Sequence, residues 1–113
     1  MVYFVTHDRF HTDIYMTRGD TLKAKALMML SDKSEYIPQT GDTMRFVMKR
    51  RYTDTELLIE KSIPITTQIL ALDPADTSSL RFGEYVYDIE ITYANGDVDT
   101  FLQGMFTLTE EVD

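Results

Sequence analysis

Apolar and polar residues alternate with a period of two through most of this chain, most regularly over Glu84–Ala94. Tyr85, Tyr87, Ile89, Ile91 and Tyr93 fall on one side and Val86, Asp88, Glu90 and Thr92 on the other, which is the pattern of a strand with one buried face. Asn95-Gly96 follows. Asn-Gly favours a two-residue type I′ hairpin, because that turn needs positive φ at both central positions. With those two residues as the loop, Ala94 faces Asp97, Tyr93 faces Val98, Ile89 faces Leu102 and Tyr85 faces Phe106. Val98, Thr100, Leu102, Gly104 and Phe106 then share the inner face, and a one-residue slip would turn the whole set to water.

The rest of the chain reads the same way. Thr12–Met16 is expected as a first strand, with Phe10, Ile14 and Met16 in phase. Arg18-Gly19-Asp20 is a turn cluster; the tripeptide would also suit an integrin ligand, but nothing else indicates an extracellular animal-cell ligand, and the turn is preferred. Thr21–Leu30 places Leu22, Ala24, Ala26, Met28 and Leu30 on one face and Lys23 and Lys25 opposite. That predicts a strand, although the same residues are good helix formers. Ser31–Asp42, with Pro38 and Gly41, reads as a loop. Thr43–Arg51 alternates again, with Met44, Phe46 and Met48 against Arg45, Val47 and Lys49. Shorter strands are expected over Glu56–Ile63 and Thr67–Leu72, with Pro64 limiting ladder pairing between them. Asp73-Pro74 opens a single helical turn and Gly83 ends that crossing. Short strands at this spacing, separated by turn clusters, predict an all-β sandwich of about seven antiparallel strands.

Length and composition narrow the class. The 113 residues suit one domain spanning 1–113, with residues 1–11 as an irregular or extra edge-strand arm. The absence of cysteine excludes disulfides and thiolate metal sites. No basic region precedes a long apolar run at the N-terminus, so no signal peptide is expected, and no apolar run approaches the ~20 residues of a membrane span. A net charge of −8 argues against nucleic-acid binding, which needs a basic surface to neutralise phosphates.

The candidate chemistry is sparse. His7 and His11 could share a metal on a helix, but on an extended segment they lie about 13 Å apart, and two surface histidines are the preferred reading. Asp88 and Glu90 point outward near Asp97 and Asp99. Clustered carboxylates suit Ca²⁺ or a glycosidase acid–base pair. In this register, however, Asp88 faces Gln103, Glu90 faces Phe101 and Asp99 faces Thr92, so a solvated face is preferred. Lys49-Arg50-Arg51 is the only basic run, either a charged strand end or a contact for an acidic patch on a neighbouring subunit. No nucleophile elbow or phosphate-cradling glycine loop is present, and neither an enzyme nor a cofactor is expected. Val86, Phe101 and Met105 fall on the outward, polar face of the hairpin, and Leu27 and Met29 break the polar alternation of their own strand. A contiguous group of this kind marks an interface unless the N-terminal segment covers it within the monomer.

Leu72-Asp73-Pro74-Ala75-Asp76-Thr77, Leu80 and Gly83–Glu90 resemble the turn and penultimate strand of immunoglobulin-like sandwiches. Tyr85, two residues before the inward Tyr87, resembles the tyrosine corner of that fold. A closer resemblance is to the small immunoglobulin-like domains of tailed-phage virion proteins, including the N-terminal domain of baseplate upper proteins. It is carried by Gly19-Asp20-Thr21, the Tyr85–Glu90 strand, Asn95-Gly96 and Gly104-Met105-Phe106. The resemblance implies a non-enzymatic structural or assembly component of a phage or prophage particle, in the tail, baseplate or head–neck region. Its expected location is the virion, and the bacterial cytoplasm during assembly. Its expected partners are other virion proteins or further copies of the chain, without nucleic acid or membrane. The alternative is a carbohydrate-binding sandwich for host-surface adhesion, in which Phe101, Tyr93 or Tyr52 would stack on sugar rings.

Overall fold

The computed structural model describes residues 2–4, 12–30 and 32–110; the His7 and His11 reading lies outside them. The chain is an all-β, immunoglobulin-like sandwich. In order, its strands are β1 (Val2–Phe4), β2 (Ile14–Thr17), β3 (Leu22–Ala26), β4 (Met28–Met29), β5 (Glu35–Tyr36), β6 (Thr43–Lys49), β7 (Ile59–Ile63) and β8 (Ile69–Leu72). One helical turn, α1 (Pro74–Thr77), then leads to β9 (Gly83–Thr92) and β10 (Val98–Thr109). A five-stranded sheet ordered β2-β10-β9-β6-β7 faces a three-stranded sheet ordered β1-β3-β8, with β4 and β5 as a separate ribbon.

The inward positions carry the core as the alternation predicts. Met44, Phe46 and Met48 on β6, Tyr85, Tyr87, Ile89 and Ile91 on β9, and Leu102, Phe106 and Leu108 on β10 are all buried. Phe46 stacks on Tyr87 at 5.6 Å between ring centroids, and Phe106 meets both rings edge-on at 6.1 and 6.4 Å, the offset and edge-to-face arrangements that ring quadrupoles favour. The second sheet answers with Ala24, Ala26, Leu70 and Leu72. The Thr21–Leu30 stretch is strand and not helix, interrupted at Leu27. At α1, Pro74 occupies the first turn and the Asp76 carboxylate accepts a hydrogen bond from the Asp73 N–H at 2.7 Å.

Three features depart from the sequence reading. The first is strand number and direction. Ten strands form among the described residues, and two pairings are parallel, β2 with β10 and β1 with β3. Alternation decides which face a residue shows but not which strand lies beside it, so these pairings have no local signal. The short β5, inside the expected Ser31–Asp42 loop, has too few residues to show a period.

The second is the hairpin. Its loop is Ala94-Asn95-Gly96, closed by Gly96 N–H to Tyr93 O at 2.8 Å and by Tyr93 N–H to Asp97 O at 2.8 Å. Gly96 has φ +95°, whereas Asn95 is not among the residues with positive φ, so the turn is not type I′. The Asn95 side chain instead accepts from the Asp97 N–H at 2.9 Å, a local bond that Asn is suited to make.

The third follows from it. The three-residue loop pairs Val98 with Thr92, not Tyr93, and Asp99 with Ile91, one step off the expected register. A bulge between Thr100 and Leu102 removes the offset, so that Leu102 pairs with Ile89 and Phe106 with Tyr85 as expected. Phe101 is the extra residue. It is 6% exposed and belongs to the core with its neighbour Leu102, whereas the two-residue loop would have put it on the outer face. Val98, expected inward, is 59% exposed.

Candidate functional site

The outer face of the five-stranded sheet follows from the register beyond the bulge. Met105 pairs with Val86 and Val86 with Lys49; Gln103 pairs with Asp88 and Asp88 with Val47; Thr100 pairs with Glu90 and Glu90 with Arg45. Val86 and Met105 lie directly opposite one another, each partly buried. Val47, expected among the solvated residues, is buried, and with Lys49, Tyr52, Val86, Tyr87 and Asp88 it lines a cavity of about 20 Å³. The loop after β6 thus brings Tyr52 back over the strand it left. Asp88 sits beside this apolar patch, and burial, then the Glu90 charge, push its carboxyl above the ordinary range, against the pull of Lys49 and Arg45. Arg45 joins Glu60 at 2.5 Å and Glu90 at 3.0 Å across three strands, an exposed ladder of the kind worth under about 1 kcal/mol per pair.

Of the residues singled out for an interface, Val86 and Met105 therefore stand together on this face, and Phe101 lies in the core. Leu27 and Met29 are partly buried on other elements, Leu27 just after β3 and Met29 on the β4–β5 ribbon. The acids are dispersed. Asp88 and Glu90 face outward, Asp99 shares the inward side with Ile91 and reaches the Tyr93 hydroxyl at 3.5 Å, and among the described residues no three His, Cys, Asp or Glu converge to hold a metal.

A second surface gathers at the corner before β9. The Tyr85 hydroxyl donates to the carbonyl of Arg81, four residues upstream, at 2.7 Å. This is the bond of a tyrosine corner, made to Arg81 just past the helical turn and the Leu80 N–H to Thr77 O bond that extends it. Tyr85 is buried, so Tyr85→Phe strips a shielded carbonyl of its donor. The variant is expected to lose on the order of 1 kcal/mol in chemical denaturation, and an unchanged midpoint would remove the corner from the account of stability.

Around that corner, arginines distant in sequence converge. Arg18 Nη1 donates to Leu80 O at 3.2 Å and its guanidinium lies 4.2 Å from the Phe82 ring centroid. Arg50 lies over the Tyr85 ring at 5.2 Å. Arg50 and Arg81 both line an open concavity of about 430 Å³ with Glu56, Leu58, Ser79 and Leu80. The basic run 49–51 was visible in the sequence, but Arg81 carried no signal of its own and is brought there by the corner. Arg18-Gly19-Asp20 is indeed a turn, with Asp20 N–H to Thr17 O at 3.1 Å and Gly19 N–H to the Thr77 hydroxyl at 2.9 Å.

The opposite polar cluster is architectural. The buried Asp42 accepts from the Tyr36 hydroxyl at 2.7 Å, the Gln39 N–H at 2.8 Å and the Ala94 N–H at 3.0 Å, tying the 37–42 loop to the hairpin turn. The Gln39 N–H bond, then Tyr36, hold its carboxyl below the usual range, and the bond to Asp42, with burial, pushes the Tyr36 hydroxyl up to about 12.

Fold and surfaces together define an immunoglobulin-like β-sandwich with two candidate contact surfaces, the outer sheet face and the corner. No protein-family model matches the chain, and no curated protein sequence matches it. Among solved structures it is similar to CopC from Methylosinus trichosporium OB3b, with a TM-score of 0.46, 14% identity, and coverage of 89% of this chain and 87% of that one.

Proposed function

We propose that this chain is a non-enzymatic assembly module that acts through protein–protein contacts, as a structural component of a phage or prophage particle. The particle assignment rests on the sequence resemblance of Tyr85–Glu90, Asn95-Gly96 and Gly104–Phe106 described above. The contact role rests on one observation, the facing, partly exposed apolar pair Val86 and Met105 on the outer side of a sheet that also carries Arg45, Lys49, Asp88, Glu90 and Gln103 there. Burying such a pair against a partner returns about 25 cal/mol for each Å² removed from water. Tyr15 adds to the same side. It is 70% exposed on β2, the sheet's terminal strand, whose outer edge pairs with no strand among the described residues, and open strand edges are sites of association. Of the three rings a carbohydrate-binding role would use, Phe101 is buried, Tyr93 is partly buried and only Tyr52 is exposed, at 54%, so protein contacts are the preferred reading.

The test is a Val86→Lys/Met105→Lys double variant. Neither residue is fully buried, so the fold is expected to persist while self-association in sedimentation velocity, or capture of neighbouring virion proteins, weakens roughly tenfold or more for a loss of about 1.4 kcal/mol. Association unchanged in a natively stable variant would overturn the interface.

A further inference from the structure

The corner concavity holds two guanidinium groups with no acid paired to them among the described residues. Arg50, just after β6, and Arg81, just before β9, line it from positions 31 apart in sequence, and neither forms an ion pair among the described residues, whereas Arg45 and Lys61 each do. Arg50 is held over the Tyr85 ring, and the ring is itself fixed by the hydroxyl bond to Arg81 O. The same corner therefore positions the Arg50 guanidinium through the ring and the Arg81 backbone through its carbonyl. This pair of cations lies in a hollow on a chain of net charge −8, a placement that suits a ligand of opposite charge.

We propose that this concavity binds a carboxylate side chain presented by an acidic, partly apolar segment of a partner protein, with Arg50 and Arg81 gripping the carboxylate; the inference rests on the protein-contact reading above and specifies a second surface for it. Three observations select this ligand class. Guanidinium groups present planar donor forks that match a carboxylate. Glu56 lines the same hollow, so the lining residues carry a net of one positive charge, with Arg18 bonded to Leu80 O but not itself part of the lining; that balance suits a single carboxylate better than a polyanion. Leu58, Leu80 and the Tyr85 ring supply apolar wall for the stem of the incoming side chain and its neighbour, and Ser79 supplies a hydroxyl. The net charge of −8 repels a polyanion such as nucleic acid far more than a segment whose carboxylates are few and interspersed with apolar residues, which leaves a protein segment of that kind as the occupant.

The probe is a blocked peptide of alternating glutamate and leucine, with its glutamine–leucine counterpart and inorganic phosphate as controls, titrated against the intact chain by NMR. The glutamate peptide is expected to shift signals of Leu58, Ser79 and Arg81 and to bind at least roughly tenfold more tightly than the glutamine peptide, with affinity falling as salt shortens the screening length. Arg81→Gln is expected to lose most of that preference without loss of stability, since the corner bond uses the Arg81 carbonyl and not its side chain. Arg50→Lys should keep part of it, retaining charge but not the fork. Equal binding of the two peptides, an Arg81→Gln variant that binds as before, or phosphate competing as well as the glutamate peptide would each overturn the proposal. Failure here is separable from failure of the assembly reading, which is read from association of the Val86 and Met105 variant and needs no carboxylate probe.

Discussion

Adding one methyl group at Gly104 is expected to destabilise the sandwich by roughly 3–5 kcal/mol, a large share of the 5–15 kcal/mol that holds a domain of this size together. A Cβ at this position would fall on the carbonyl oxygen of Thr12 and lie 2.8 Å from its carbon and 3.1 Å from Asp13 Oδ1. The first two obstacles are backbone, so no rotamer change relieves them. Thr12 is also pinned where it is. Its N–H donates to Gln103 O at 2.9 Å, its carbonyl accepts from the Tyr87 hydroxyl at 2.5 Å, and Asp13 accepts from the Met105 N–H at 3.1 Å. Overpacking alone costs about 1–3 kcal/mol, and moving Thr12 away adds about 1 kcal/mol for each bond it breaks. Gly104→Ala measured by urea denaturation, with the slope unchanged so that the midpoint reports stability, decides the matter. A loss below about 1 kcal/mol would mean that the Thr12 crossing does not pack on β10 in this way.

The second large effect is expected at Phe101. As a bulge residue turned into the core at 6% exposure, it should lose about 3–5 kcal/mol on replacement by alanine. Met105, four positions on and facing outward beside Val86, should tolerate serine for about 1 kcal/mol or less. The contrast is the informative quantity, because a strand running in a single uninterrupted register through residues 98–109 would put both side chains on the same face and make the two changes alike. Thermal or chemical unfolding of the two single variants therefore reports directly on the bulge. The outcome also bears on the interface, since a Phe101 variant that unfolds says nothing about association.

The two effects show where the sequence was legible. Tyr85, Tyr87, Ile89 and Ile91, or Met44, Phe46 and Met48, could be assigned to the core by their period alone, because a pleated strand buried on one side imposes that period directly. The strand choice for Leu22–Ala26 was legible for the same reason and the single turn opened by Pro74 from proline's fixed φ, whereas the corner at Tyr85 was legible only through its resemblance to immunoglobulin-like sandwiches. Phe101-Leu102 and Phe46-Val47-Met48 are consecutive apolar runs inside alternating strands, and these were the available marks of the bulge and of the buried outer-face Val47.

By itself, then, the sequence determined most of the inward set, though not Val47, Val98 or Phe101, the neighbourhood of each chain reversal and that the product is an all-β sandwich, since these depend on side-chain chemistry within a few residues. The tertiary structure alone decided the rest. One extra residue in the loop is cancelled by one extra residue at the bulge, so the pairing at Ile89–Leu102 and Tyr85–Phe106 is the same with both or with neither, and the alternation beyond them cannot distinguish the two. The parallel placement of β2 beside β10, the passage of Thr12 over Gly104 and the meeting of Arg50 with Arg81 join parts of the chain that are far apart in sequence. Contacts of that kind are settled by which surfaces bury each other when the sheets close, and leave no period along the chain.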